Sequence, residues 1–314
     1  MSYPKVTVVI PTLNSDETLD KCLASIKANS CRYDYEIIVI DGGSTDTTIE
    51  IARKYNVKVL NGQPRRINRN IGVEQAGGDI ICFTDSDCLV PQDWLEKLVD
   101  GLLRLNGEDR RIVGVGGGNV PWLDNPSLEQ LAIAHAWQSP LITFKARNTA
   151  VYKDQRYVSH NPPLNAAIFR RAILEVGGFE EEPGYGYGED SALDAKLIGK
   201  GYRLCYLPDC LVRHRHPLNY KKFARQMYAY GWGRIKLRRR HKGYFRFHHY
   251  GPIILCLMTF TPLFIIPLGM AIVNAIYMSF RDKNFRLFLP IIRLTMNFYV
   301  NYGLGEIVAL REGA

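Results

Sequence analysis

The most constraining feature of the chain is an alternation over roughly its first 90 residues, where short β-rich apolar runs are followed by stretches with helical spacing. "KVTVVIP" (5–11), "YEIIVID" (35–41), "VKVL" (57–60) and "GDIICFTDSD" (78–87) read as strands. Between them, "DETLDKCLASIKA" (16–28) repeats apolar residues at Leu19, Leu23 and Ile26. "TDTTIEIARKY" (45–55) is a helix started by the capping residues Ser44 and Thr45, and "RRINRNIGVEQA" (65–76) is a third helix. This βαβα alternation predicts a parallel, doubly wound sheet. Such sheets bind ligands at the carboxyl ends of their strands. Three of those ends carry polar residues here: Thr12 with Asn14, Asp41, and Asp85 with Asp87. A ligand site on one rim follows.

After Asp87 the pattern becomes mixed. "RIVGVGGGNV" (111–120) reads as a glycine-heavy strand, where absent side chains permit close approach of backbone or ligand. Residues 127–160 look helical and then irregular; "NAAIFRRAILEVGGF" (165–179) gives a strand, a short helix and a Gly-Gly turn. "GEDSALDAKLIGKG" (188–201) is a capped helix ending at Gly201, and "YRLCYLP" (202–208) a further strand. With 46% hydrophobic and 23% charged residues the composition is globular. The seven cysteines form no CxxC pair and no zinc spacing, so they are expected to be reduced and structural, as in a cytosolic compartment. No secretory or transit pattern precedes the first strand.

The net charge of +9 is a local device. Between Leu211 and Tyr250 there are 12 Lys/Arg and no acid, leaving 28 bases against 31 acids elsewhere. No helix-turn-helix, RNP-like or zinc-finger pattern accompanies the tract, so nucleic acid is not the expected partner. Instead, Tyr250 to Phe280 follows without a single charge, long enough for one membrane span and too short for two. Pro262 and Pro267 would kink a helix there or break it into a re-entrant pair. The basic tract, with Trp232, Tyr244, Phe245 and Phe247, suits an anionic cytoplasmic leaflet. Arg281, Lys283 and Arg286 place positive charge beyond the run as well, which favours a re-entrant or interfacial arrangement over a simple crossing. The stretch 287–310 is apolar but holds Arg293 and Glu306, a second span or an interfacial helix.

"FTDSDC" (83–88) carries the chemistry. In an extended strand end, residues i and i+2 point the same way, so Asp85 and Asp87 can share one hard divalent cation, Mg²⁺ or Mn²⁺. Such an ion usually completes its shell with substrate phosphates. A solvated acidic turn before Pro91 is the plain alternative. A phosphatase nucleophile in a D-x-D after the first strand fits poorly, since this pair follows the fourth predicted strand.

Four segments, "VVIPTLN" (8–14), "DGGSTDTT" (41–48), "NRNIGVEQAGGDIICFTDSD" (68–87) and "GYGEDSALDAKLIGKGYRL" (186–204), together resemble the family-2 glycosyltransferases, inverting enzymes of the GT-A fold. The resemblance covers about residues 5 to 216, with the motifs in the family's order. It implies an α/β, Rossmann-like, doubly wound mixed sheet over 1–220. A basic amphipathic juxtamembrane segment (221–250) and hydrophobic membrane-associated helices (251–314) complete the chain. Pro11, Thr12 and Asn14 would shape the nucleotide pocket, Asp41 would accept from the base, and Arg69 would contact the nucleotide. Asp85 and Asp87 look like the family's D-x-D, with Ser86 between them: Asp87 the more direct metal ligand, Asp85 nearer the ribose. Asp190 occupies the position of the catalytic base, Glu189 beside it, although Asp190 also reads as a cap for the helix starting near Ser191. His214 or His216 resembles a histidine that some members add to the metal shell. Arg225 and Arg234, in "FARQMYAYGWGR", could reach a diphosphate or a lipid phosphate. The glycines at 184, 186 and 188 suggest a closing loop.

The expectation is thus an inverting glycosyltransferase using Mn²⁺ or Mg²⁺ on the cytoplasmic face of the cell membrane. It would take a nucleotide sugar, a UDP-sugar favoured, to a hydroxyl of a lipid-linked or other membrane-held glycan. A polyprenyl-phosphate sugar synthase is the nearest rival, though an ionised phosphate acceptor needs no base such as "GED" supplies. A non-catalytic membrane scaffold of the same fold is the rival from another class.

Overall fold

The first four apolar runs form parallel strands in the computed structural model, which describes residues 3–62, 68–139, 142, 152–180, 188–216, 219–241 and 250–312. β1 (Val6–Thr12), β2 (Tyr35–Asp41), β3 (Lys58–Asn61) and β4 (Ile80–Thr84) are linked by α1 (Leu19–Lys27), α2 (Thr48–Lys54) and α3 (Asn68–Gln75). Thr12 lies opposite Asp41, which brings the polar ends of β1 and β2 level. The sheet then changes character. β4 leads through a tight turn straight into the two-residue β5 (Cys88–Leu89) with no crossover helix. β8 (Asn165–Phe169) runs antiparallel between β4 and β6 (Ile112–Pro121). β9 (Arg203–His214) is parallel to β6, and β5 and β7 (Arg156–Val158) are antiparallel to β9. The sheet is therefore mixed, in the order β3-β2-β1-β4-β8-β6-β9-β5.

Both faces are covered, as a parallel sheet requires. Alternate residues of one strand go to opposite sides: Val8 and Ile10 pack with Leu19, Leu23 and Ile26 of α1 and with Trp94, Leu98 and Leu102 of α4 (Trp94–Glu108). Val9, Ile81 and Phe83 pack with Val73 of α3, with Ile173 of α6 (Arg170–Glu175) and with Leu193 and Leu197 of α7 (Glu189–Gly199). Each such fully buried aliphatic side chain contributes on the order of 2 kcal/mol.

One local expectation is corrected. Ser44 and Thr45 do not cap α2: the Ser44 hydroxyl donates to Asp41, Thr45 bonds Asn14, and the helix begins only at Thr48, whose N–H donates to Asp46 (3.0 Å). The beginning of the helix expected over 65–76 and the glycines at 184 and 186 lie outside the described residues, as do Tyr244, Phe245 and Phe247.

The chain divides into two compact units, Met1–Trp122 with Thr149–His214, and Leu123–Asn148 with Arg215–Ala314. The second is helical: α5 (Leu128–Ala136), α8 (Tyr220–Arg240), α9 (Gly251–Thr259), α10 (Ile265–Arg281) and α11 (Phe288–Arg311). Its core joins Ile133, Phe223, Met227, Met278, Leu294 and Phe298. The uncharged run breaks between α9 and α10, directly before Pro262, which cannot continue a helix from the preceding turn. Pro262–Arg281 is one helical stretch long and apolar enough to cross a membrane.

Candidate active site

Each acidic residue of "FTDSD" is placed by a different contact. The β5–β9 register sets Cys88 opposite His214, and this brings the imidazole Nε2 to 3.4 Å from Asp87 Oδ1. Burial works most strongly against the His214 cation, but Asp87, by charge and hydrogen bond, and Asp85 together hold the ring's pKa above its ordinary value. Asp87, Cys88 and His214 hold their donor atoms within 4.8 Å of one another. The Cys88 thiol is kept protonated by burial and by Asp87, so carboxylate and imidazole are the ligands this group can offer. That donor set fits a divalent cation.

Asp85 turns elsewhere. Arg69, on α3, donates to Asp85 Oδ1 (2.6 Å) and to Glu189 Oε1 (3.2 Å), bridging the end of β4 to the start of α7. The guanidinium is nearly buried; burial disfavours its charge, but Asp85, Glu189 and Asp190 together more than restore it. Its Nε finds no partner. Glu189 is pushed up to about 7, first by burial and then by Asp190, with Arg69 opposing. The helix cap is Gly188, at φ 99°, a conformation glycine adopts without strain, so Asp190 stands inside the first turn rather than capping it. Asp190 Oδ1 accepts from the Ser191 N–H (2.7 Å), while Oδ2 lies 3.6 Å from His160 Nε2.

The rim of β1 and β2 is internally bonded. Asp41 accepts from the Gly43 and Ser44 N–H groups (both 3.0 Å) and from the Ser44 hydroxyl, which fixes the turn after β2. Asn14, at φ 48°, accepts from the Thr45 N–H (2.9 Å) and ties the β1 loop to it. Ser86 bonds Ser15 hydroxyl to hydroxyl at 2.9 Å. Thr12 is buried with its Oγ1 unpartnered, one strand position beyond Pro11.

Arg225, Arg234 and His216 belong to the helical unit. Arg225 is exposed on α8; Arg234 Nε donates to Tyr302 Oη (3.4 Å) on α11, and His216 stacks on Trp137 at 5.7 Å. Of the two histidines, His214 is the one beside Asp87. Sequence reading missed His160 and Asp194, which hydrogen-bond at 2.7 Å, and Asn165, which is fully buried and accepts from Trp94 Nε1 (2.8 Å) while donating to Gly118 and Cys210 carbonyls. Asp194 was findable: it lies four residues after Asp190, on the same helix face. His160 precedes its strand with no pattern to mark it.

A mixed α/β sheet with an acidic, histidine-bearing site at its strand ends is the GT-A class of glycosyltransferase architecture. The chain belongs to glycosyl transferase family 2, whose model matches residues 7–176. It is 37% identical over 128 residues to the glycosyltransferase AglE of Haloferax volcanii, a match spanning 38% of this chain and 40% of that one. It is 23% identical, over 95% of both chains, to a Methanococcus voltae dolichyl N-acetyl-α-D-glucosaminyl phosphate 3-β-D-2,3-diacetamido-2,3-dideoxy-β-D-glucuronosyltransferase. Among solved structures, the mannosyltransferase PcManGT of Pyrobaculum calidifontis, in complex with GDP-Man and Mn²⁺, aligns over 95% of this chain and 87% of its own. The TM-score is 0.58 at 19% identity.

Proposed function

We propose that this glycosyltransferase is inverting and divalent-cation-dependent, moving a sugar from a nucleoside-diphosphate donor to a hydroxyl of a lipid-linked or membrane-held glycan. The observation that carries the reading is the pair of acidic sites in the α/β unit: Asp87 with His214 after β4, and Asp190 with the Arg69-bridged Glu189 at the start of α7. Asp87 and His214 would hold the ion, with Asp85 available through Arg69's neighbourhood. When bound, that ion supplies positive charge to the leaving diphosphate. The acceptor hydroxyl is a poor nucleophile until Asp190 takes its proton. Its oxygen then bonds the anomeric carbon as the carbon–oxygen bond to the diphosphate breaks, the electron pair leaving with the phosphate. One base and no nucleophilic carboxylate gives direct displacement with inversion, by analogy with inverting hydrolysis. Arg69 neutralises Asp85 and Glu189 and keeps the acidic cluster together.

The acceptor class draws support from the Methanococcus relative, whose name describes a dolichyl-phosphate-linked sugar extended by a second sugar. The exposed apolar residues of the helical unit support membrane attachment, and the basic tract an anionic, cytoplasmic face. Calorimetric titration of the detergent-purified chain with UDP and with GDP, each with and without Mn²⁺, tests the donor site. One nucleotide is expected to bind only with Mn²⁺, and Asp87→Ala is expected to abolish that binding. Equal binding by the variant sinks the metal assignment; no binding by the folded wild-type chain brings the scaffold reading forward.

A further inference from the structure

We propose that His160 stands behind Asp190 as a positioning residue and proton acceptor, held for that task by Asp194. The inference rests on the reading of Asp190 as the base. His160 lies between two carboxylates that α7 presents one turn apart on the same face, Asp190 and Asp194.

Asp194 is buried, and its Oδ2 accepts both the Asn161 backbone N–H (2.9 Å) and the ring at Nδ1 (2.7 Å). With Asp194 as the acceptor the ring donates from Nδ1, and the lone pair of that tautomer is on Nε2. That Nε2 is buried, has no hydrogen-bond partner, and faces Asp190 Oδ2 at 3.6 Å. A histidine kept only for packing would need Nδ1 alone; asparagine would serve as well. An unpartnered buried nitrogen aimed at the candidate base is the feature that packing does not explain.

The sequence of proton positions closes without another reagent. The acceptor O–H bond breaks and its proton moves to Asp190, while the acceptor oxygen bonds the anomeric carbon and the diphosphate departs with the bonding pair. Asp190 then passes the proton to the Nε2 lone pair. The result is an imidazolium between two carboxylates and Asp190 restored to its ionised form; the proton is lost to solvent after the product leaves. This is the same logic by which a buried acid orients a catalytic imidazole, applied one residue further from the substrate. The charged groups around Asp190 are Glu189, Arg69 and Asp194, and those around His160 are the two aspartates.

The test uses the full chain in detergent, labelled with ¹⁵N at its histidine rings. The His160 resonances, assigned by their loss in His160→Asn, are expected to show the Nδ1–H tautomer. His160→Asn keeps a side-chain N–H for Asp194 and removes Nε2. It should bind UDP or GDP as the wild type does, yet release nucleoside diphosphate from the matching sugar nucleotide at least tenfold more slowly, with donor KM unchanged. A ring found in the Nε2–H tautomer, or wild-type turnover in His160→Asn, overturns the relay while nucleotide binding stays intact. If neither UDP nor GDP binds the wild-type chain, the reading beneath it falls too, so the two failures are distinguishable.

Discussion

At the scale of single residues, the site is governed by how buried charge is shared. Arg69 reaches Asp85 and Glu189 at once, and the guanidinium fork suits two carboxylates where an ammonium would serve one. Glu189 is nonetheless raised to about 7, because burial and Asp190 outweigh Arg69. The sign for stability follows. Between about pH 4.5, where the unfolded carboxyl titrates, and about pH 7, the folded state binds more protons than the unfolded one, so stability falls as pH rises and levels off above. Glutamine cannot titrate, so Glu189→Gln removes this slope. The melting temperature of Glu189→Gln minus that of the wild type is therefore expected to rise between pH 5 and pH 8, by the equivalent of up to roughly 3 kcal/mol. A difference that stays flat across this range would mean that the carboxyl is ionised throughout.

At the scale of elements, the β-rich apolar runs were legible because strand period and crossover helices write themselves into residue order; β2 has the bounds expected, Tyr35–Asp41. The rim residues followed from the same logic. Partners distant in sequence were not legible: the antiparallel insertion of β8 beside β4, and the pairing of Cys88 with His214 that selects one of two histidines, depend on register. The same holds for the helices. "FARQMYAYGWGR" drew attention for Arg225 and Arg234, while its glycine has a packing role: a Cβ on Gly231 of α8 would come within 2.0 Å of the Tyr302 carbonyl, and one on Gly305 of α11 within 2.0 Å of the Tyr228 carbonyl. The two glycines let the helix backbones touch, a demand invisible in either segment alone. Gly231→Val should force α8 and α11 apart and lower the melting temperature by several degrees, at a cost of about 1–3 kcal/mol, read by thermal shift in detergent. An unaffected melting temperature would mean that this contact is dispensable.

At the scale of the whole molecule, one chain joins a polar-rimmed α/β unit to a helical unit that leaves large apolar side chains in the open. Ile254, Leu257 and Phe260 on and after α9, Leu263 to Ile266 around the break, and Val273, Ile276, Tyr277 and Phe280 on α10 are all exposed, while Ala271, Ala275 and Met278 of α10 are buried. α10 therefore has one face committed to its own unit and one apolar face left exposed. A bilayer is the occupant the neighbouring charge favours, since α8 ends in Arg238, Arg239 and Arg240 and Lys283 and Arg286 follow α10. The two contributions separate experimentally. Phe260→Asp with Ile265→Asp places charge in the apolar layer, where each acid costs about 2.5–3.5 kcal/mol at full depth and less near the surface. Binding of the full chain to phosphatidylglycerol–phosphatidylcholine vesicles should fall at least tenfold, equally at low and high salt. Changing Arg238, Arg239 and Arg240 to Gln removes about 1 kcal/mol each at most, and that loss should vanish in high salt, where the Debye length shrinks to a few ångströms. If the double aspartate variant sediments with vesicles as the wild type does, the exposed face is not what holds the membrane, and attachment rests on the basic tract alone.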